Sequence, residues 1–343
     1  MELKRADLDA AVEAGLLDGA QAPPLWAFLD ARAGERPRFR AAHILYYLGG
    51  CVAIAAMSLF MNLGWERFGG TGLALIATVY AAAALAATDG LLKRRQAIPA
   101  GLLAALAVAL VPLAVYGVQN ALGWWAPGET ARDYHRHIDG RWLMMELATL
   151  AAGAAVLWRW RLPFSVMPVA VTLWYLTMDL APIVAGVPDA DWALRKWVST
   201  WAGLLIVGLA FWVDVRSRRG PDFAFWLYLA GTAAFWGGLT SMDSDSEWSR
   251  LGYCAINLVM IAAGAALSRR VLAVFGGLGV AIYLGHLAND LFRDSLLFPF
   301  ALTLIGLAVI GAGLVWQRHE VALAARLRAP LPRALRELLE SRD

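Results

Sequence analysis

The chain is predicted to be all-α, a polytopic membrane bundle of about ten transmembrane helices. Three observations carry this. The composition is 60% hydrophobic with 16 Trp and a mean hydropathy of +0.56 over 343 residues. Ten apolar runs recur, each near the length of roughly 20 residues that spans a bilayer. The segments between them alternate between arginine-rich and arginine-poor. The expected spans are 42–62, 71–91, 98–120, 142–158, 163–184, 197–214, 223–241, 252–268, 271–289 and 295–316.

Residues 1–40 precede the first span and read as a small cytoplasmic helical hairpin. Asp7 is placed to cap a helix bearing Leu8 and Val12, and Gly15 to end it. Pro23 and Pro24 suit the first turn of a second helix with Leu25, Trp26, Phe28 and Leu29. No apolar core with a small-residue cleavage site lies here, so the first span is expected to act as its own signal. Residues 41–317 form the transmembrane domain. Residues 318–343 form a cytoplasmic tail in which Leu331, Leu335, Leu338 and Leu339 interleave with Arg333, Arg336 and Arg342, the pattern of an interfacial amphipathic helix.

Charge sets the orientation. One set of segments holds 22 of the 30 basic residues, including Arg36, Arg38, Arg40, Lys93 to Arg95, Arg159, Arg161, Arg216, Arg218, Arg219, Arg269 and Arg270. Cationic loops stay in the cytoplasm, so this set and both termini are expected inside, in a plasma (inner) membrane. The Trp residues agree: Trp65, Trp124, Trp125, Trp142, Trp192, Trp197 and Trp248 fall at outer ends of spans, and Trp158, Trp160, Trp212, Trp226 and Trp316 at inner ends. The net charge of +3 is therefore a topology signal and does not point to nucleic acid. Cys51 lies mid-span and Cys254 near an outer end, too far apart in depth for a disulfide, so both are expected as free thiols.

A shift of 111 residues aligns the fourth and fifth spans with the eighth and ninth, matching 146–180 to 257–291. Leu147, Gly153, Arg159, Phe164, Asp179 and Leu180 coincide with Leu258, Gly264, Arg270, Phe275, Asp290 and Leu291, and Glu146 with Asn257. The shift crosses four spans, so the expected repeat is parallel. The Ala-Ala-Gly-Ala-Ala stretches at 151–155 and 262–266 mark expected helix crossings, because small side chains let backbones approach.

Ionisable groups inside a span are costly and are the first place to look for function. Glu146, Asp179, His286, Asn289 and Asp290 fall in the outer half and form a candidate polar vestibule. Carboxylates and imidazoles at one depth suit a cation site or a proton relay, since a bound cation or proton relieves carboxylate repulsion. The competing expectation is that each reaches interfacial water or an arginine such as Arg132, Arg136, Arg141 or Arg293. Asp89, four residues before Lys93, is expected to pair with the cytoplasmic turn. His135 and His137 are weak candidate metal ligands, unsupported by ligand spacing elsewhere. No cofactor motif, phosphate loop or nucleophile elbow occurs.

The segment Leu8 to Leu29, with Glu13-Ala14-Gly15-Leu16-Leu17 followed by Asp18 to Gln21 and then a series of short apolar spans, resembles the bacterial membrane family called domain of unknown function 2157. The resemblance covers mainly the first 90 residues and implies a bacterial multi-pass membrane protein. It lends no catalytic residues. Three functional classes stay open: a transporter-like bundle for a small solute or cation, a non-catalytic scaffold, sensor or assembly factor, and a membrane-embedded enzyme acting at the outer face. The bilayer is the partner the sequence implies.

Overall fold

The computed structural model describes residues 8, 11–33, 41–125, 140–186, 192–216, 221–242, 246–292 and six positions between 300 and 311. All regular structure among them is helical. Unit 1, residues 1–49, contains α1 (Ala22–Ala33), whose first turn holds Pro23 and Pro24 where no N–H is needed. Before it, Ala11 to Glu13 are helical and Gly15 adopts φ 70°, ending that turn with Leu16 N–H donating to Ala11 O. Asp7 and the tail 318–343 lie outside the described residues.

Unit 2 begins at Gly50, inside α2 (Ala41–Lys93). This helix breaks at Gly69, whose φ of 61° and ψ of −177° are open only to glycine. The break falls between the first two expected spans. Then come α3 (Ala97–Ala109) and α4 (Val111–Ala121), one span divided where Pro112 removes a backbone donor. They are followed by α5 (Gly140–Trp160), a 3₁₀ turn (Pro163–Ser165) and α6 (Val166–Ala185). The remaining helices are α7 (Trp192–Arg216), α8 (Ala224–Thr240), α9 (Glu247–Ala266) and α10 (Arg270–Phe292).

Seven helical segments among the described residues are long and apolar enough to cross a bilayer: Phe68–Lys93, Ala97–Ala121, Gly140–Trp160, Pro163–Ala181, Trp192–Arg216, Glu247–Ala266 and Arg270–Leu287. The expected count of ten is thus met in part. The helix at 224–240 is 17 residues long, and most of 295–316 lies outside the described residues. Leu75, Val79, Trp201, Leu205, Val259 and Val274 stand exposed on the outer faces of these helices. Such large apolar groups facing outward along whole helices are stable in lipid and costly in water. The chain is a multi-pass integral membrane protein.

Helices pack by backbone approach. A Cβ at Gly117 would lie 2.5 Å from Ala74 N, and one at Gly70 would lie 2.6 Å from Ala121 N, so α2 and α4 touch main chain to main chain. Across α7 and α8, Gly203 sits against the Phe235 backbone and 2.7 Å from Gly231 O by the same measure. The two expected crossings appear: Gly153 abuts the Val169 side chain, and a Cβ at Gly264 would lie 2.7 Å from Ala273 N. Their partners, however, do not follow the shift of 111. The left-handed turn residue is Arg161 in one hairpin and Ser268 in the other, an offset of 107. Helix α9 therefore stops about one turn early, and the pairing lends the repeat no support.

Three turns at one end of the bundle close alike. Arg95, Arg161 and Ser268, with φ of 58°, 52° and 54°, follow the last turns of α2, α5 and α9 in the left-handed cap position. In the last, Arg269 N–H donates to Gly264 O at 2.8 Å, which turns the Arg269 side chain back toward the bundle.

Candidate functional site

At the end opposite these turns, α5 presents Met145, Glu146, Thr149, Gly153 and Val156 along its buried stripe. The spacing of three to four residues puts Glu146 on the packed face of the helix. It is 8% exposed. Asp179, six residues before the end of α6, is 1% exposed. Helices α5 and α6 pack against each other, and the Asp179 carboxyl is the charged group that acts on Glu146. The same carboxyl is also within side-chain hydrogen-bonding reach of Glu146. The first two vestibule residues are thus brought together, each about 9 Å from its helix end at 1.5 Å per residue.

The others are placed differently. His286 is partly buried on α10, a helix that packs on α9 and α8. Asn289 and Asp290 belong to the last turns of α10, and their side chains lie outside the described residues, as do His135 and His137. Among the described residues no group of His, Cys, Asp and Glu is arranged to hold a metal ion. Cys254 is a free thiol, partly buried.

A ring of aromatic and polar groups closes the bundle above Glu146. Trp125 Nε1–H donates to Gln119 Oε1 at 3.2 Å, Gln119 Nε2–H to Arg141 O at 3.0 Å, and Arg141 Nη1–H to Trp124 O at 2.8 Å. The Arg141 guanidinium stacks 4.3 Å over the Trp125 ring, which meets Tyr116 and Trp142 edge-on. Trp125 is therefore a buried brace between α4 and α5, in place of the interfacial anchor expected for it. Trp192, Trp197, Trp248, Trp158 and Trp212 do stand exposed near helix ends.

No family model matches the chain, and no curated protein or solved structure is similar to it.

Two buried charges on α7 were not singled out by the sequence reading. The packed stripe of this helix runs Arg195, Ser199, Ala202, Gly203, Ile206, Ala210, Asp214. Its small residues mark the face that meets other helices, and Arg195 and Asp214 continue that face at either end. Asp214 receives Arg269 Nε–H at 3.1 Å and a second bond from Arg269 Nη2, and Arg269 Nη1 reaches Asp222 at 2.5 Å. Tyr228 lies under the guanidinium at 5.2 Å. Burial works against the charge on Arg269, but its bonds to Asp222 and Asp214 outweigh that and hold its pKa above the ordinary arginine value. Arg269, counted in the sequence only among the orientation-setting charges, thus also clamps α8 and the α9–α10 turn to α7. Asp89 is likewise reassigned: it accepts from Trp160 Nε1–H at 2.6 Å, tying α2 to α5, and no Lys93 pair forms.

Arg195 differs. It is 4% exposed, its Nε and Nη2 have no hydrogen-bond partner, and the centre of the Trp192 ring lies 5.9 Å from its guanidinium carbon. Beneath it, Ser199 accepts from Trp174 Nε1–H and donates to Ala234 O, both at 2.9 Å, so this face of α7 lies against α6 and α8.

Proposed function

We propose that this protein is a transporter-like bundle for a small solute or cation, with Glu146 and Asp179 as its cation- or proton-responsive core. The observation that supports it is the pair itself: two carboxyl groups buried side by side on packed helices, each within reach of the other's charge and hydrogen bond. Like charges in a low-dielectric site repel, and a cation or proton held between them removes the penalty. A purely structural bundle has no need of such a pair. His286, Asn289 and Asp290 extend the same vestibule in this reading.

The orientation proposed is the one the basic residues dictate, with the end bearing Arg95, Arg161 and Arg269 in the cytoplasm of a bacterial inner membrane and both termini inside. Kinship with domain of unknown function family 2157 rests on the Leu8 to Leu29 pattern. The test is flux in proteoliposomes carrying an internal pH dye, under imposed sodium, potassium or proton gradients. Wild type should respond, and E146Q and D179N should insert normally and lose the response. Flux equal in wild type and both variants would remove the pair from the mechanism.

A further inference from the structure

The two ends of α7 treat their buried charges differently. Asp214 has a neutralising partner in Arg269, whereas no carboxylate among the described residues lies within ion-pair distance of Arg195. A guanidinium cannot shed its charge to suit an apolar site, and it carries five donors in a planar fork that matches an oxyanion. Removing such a group from water without a counter-charge is expensive. Its place in the chain adds to the mismatch. Arg195 lies in the first turn of a 25-residue helix with no acidic residue in that turn, so it stands at the positive end of the helix dipole, where an anion is favoured and a cation is not.

We propose that Arg195, at the first turn of α7, is a binding site for a phosphate-type oxyanion. The anion supplies the negative charge that the described residues withhold, accepts from Nε–H and Nη2–H, and sits where the helix dipole assists. Its level in the bundle is one turn above Ser199, between α6 and α8. Two sources carry this chemistry: the phosphate of an anionic phospholipid entering between helices, and a free phosphate-bearing or inorganic anion. The site is independent of the Glu146–Asp179 reading, since neither carboxyl pairs with Arg195.

The experiment uses the full chain, purified in detergent and stripped of lipid. Orthophosphate is titrated by calorimetry, and retention of phosphatidylglycerol against phosphatidylcholine is read by native mass spectrometry after reconstitution. A saturable orthophosphate isotherm, lost in R195Q and at least tenfold weaker in R195K, identifies a free oxyanion. One phosphatidylglycerol retained per chain, lost in R195Q, identifies a lipid headgroup. If R195Q does not fold, R195K decides, because it keeps the charge and loses the fork; affinity or retention equal to wild type overturns the proposal. So does wild type that binds neither probe, or R195Q that binds as wild type does.

Discussion

Asp214 and Asp222 both hold Arg269, and their surroundings predict very different costs for losing them. The Asp214 side chain is 7% exposed and takes two bonds from the guanidinium, and Asp222 is 50% exposed and takes one. Breaking a buried pair so that one charge is stranded costs about 3–5 kcal/mol. Here Asp222 keeps a bond to Arg269, so D214N should fall at the low end, about 3 kcal/mol. An exposed pair contributes about 0–1 kcal/mol. The D222N variant also keeps the bond at the start of α8, where Phe225 N–H donates to Asp222 Oδ1 at 3.1 Å, because asparagine accepts equally well there. It should therefore cost under about 1 kcal/mol. Unfolding by sodium dodecyl sulfate, followed by tryptophan fluorescence in mixed micelles, resolves the difference. The double variant D214N/R269Q should be more stable than D214N alone, because it strands no charge. A D222N cost equal to that of D214N, or a double variant as unstable as the sum of the singles, would refute the assignment of Asp214 as the buried anchor.

Three other outcomes are expected. Neutralising the carboxyl pair with E146Q or D179N should leave thermal stability in detergent unchanged or raised, since it removes a buried like-charge contact; a marked loss would show the carboxylates to be structural. Gly203→Ala, whose new methyl group meets the Phe235 backbone, should cost about 1–3 kcal/mol, and Gly208→Ala, with open space around it, should be neutral or stabilising; equal melting temperatures would contradict the α7–α8 crossing. Single cysteines placed at Thr130 and Asp245 in a background free of the native cysteines should react with an impermeant maleimide added outside cells, and ones at Arg94 and Arg218 should not. The reverse labelling would invert the topology.

Seven of the ten expected span positions were legible because each of those apolar runs is bounded by charged or turn residues. The helix breaks follow from residue type: Gly69 alone tolerates the left-handed backbone found there, and Pro112 lacks a backbone donor. Burial was much harder to read. In a soluble helix the hydrophobic face is the buried one, but in lipid both faces are apolar, and composition does not say which points inward. Arg195 and Asp214 were therefore not singled out, and Trp125 was expected as an interfacial anchor. The stripe of small residues between Ser199 and Ala210 was the available signal. The alignment at a shift of 111 gained no support for a related reason: Ala, Gly and Leu recur in any close-packed membrane helix, and turn positions report register better.

The partner of Asp214 lies 55 residues further along the chain, in the turn between α9 and α10. A ribosome adding about 5–20 residues per second reaches it roughly 3–11 s after Asp214 itself. Over that interval α7 has to be accommodated at the translocon with its acidic residue unmatched, against an insertion penalty of about 2.5–3.5 kcal/mol for an aspartate at a helix centre and less near an end. Final seating of α7 thus waits on the synthesis of α9, and a truncation before Arg269 should leave the nascent protein exposed to membrane quality-control proteases.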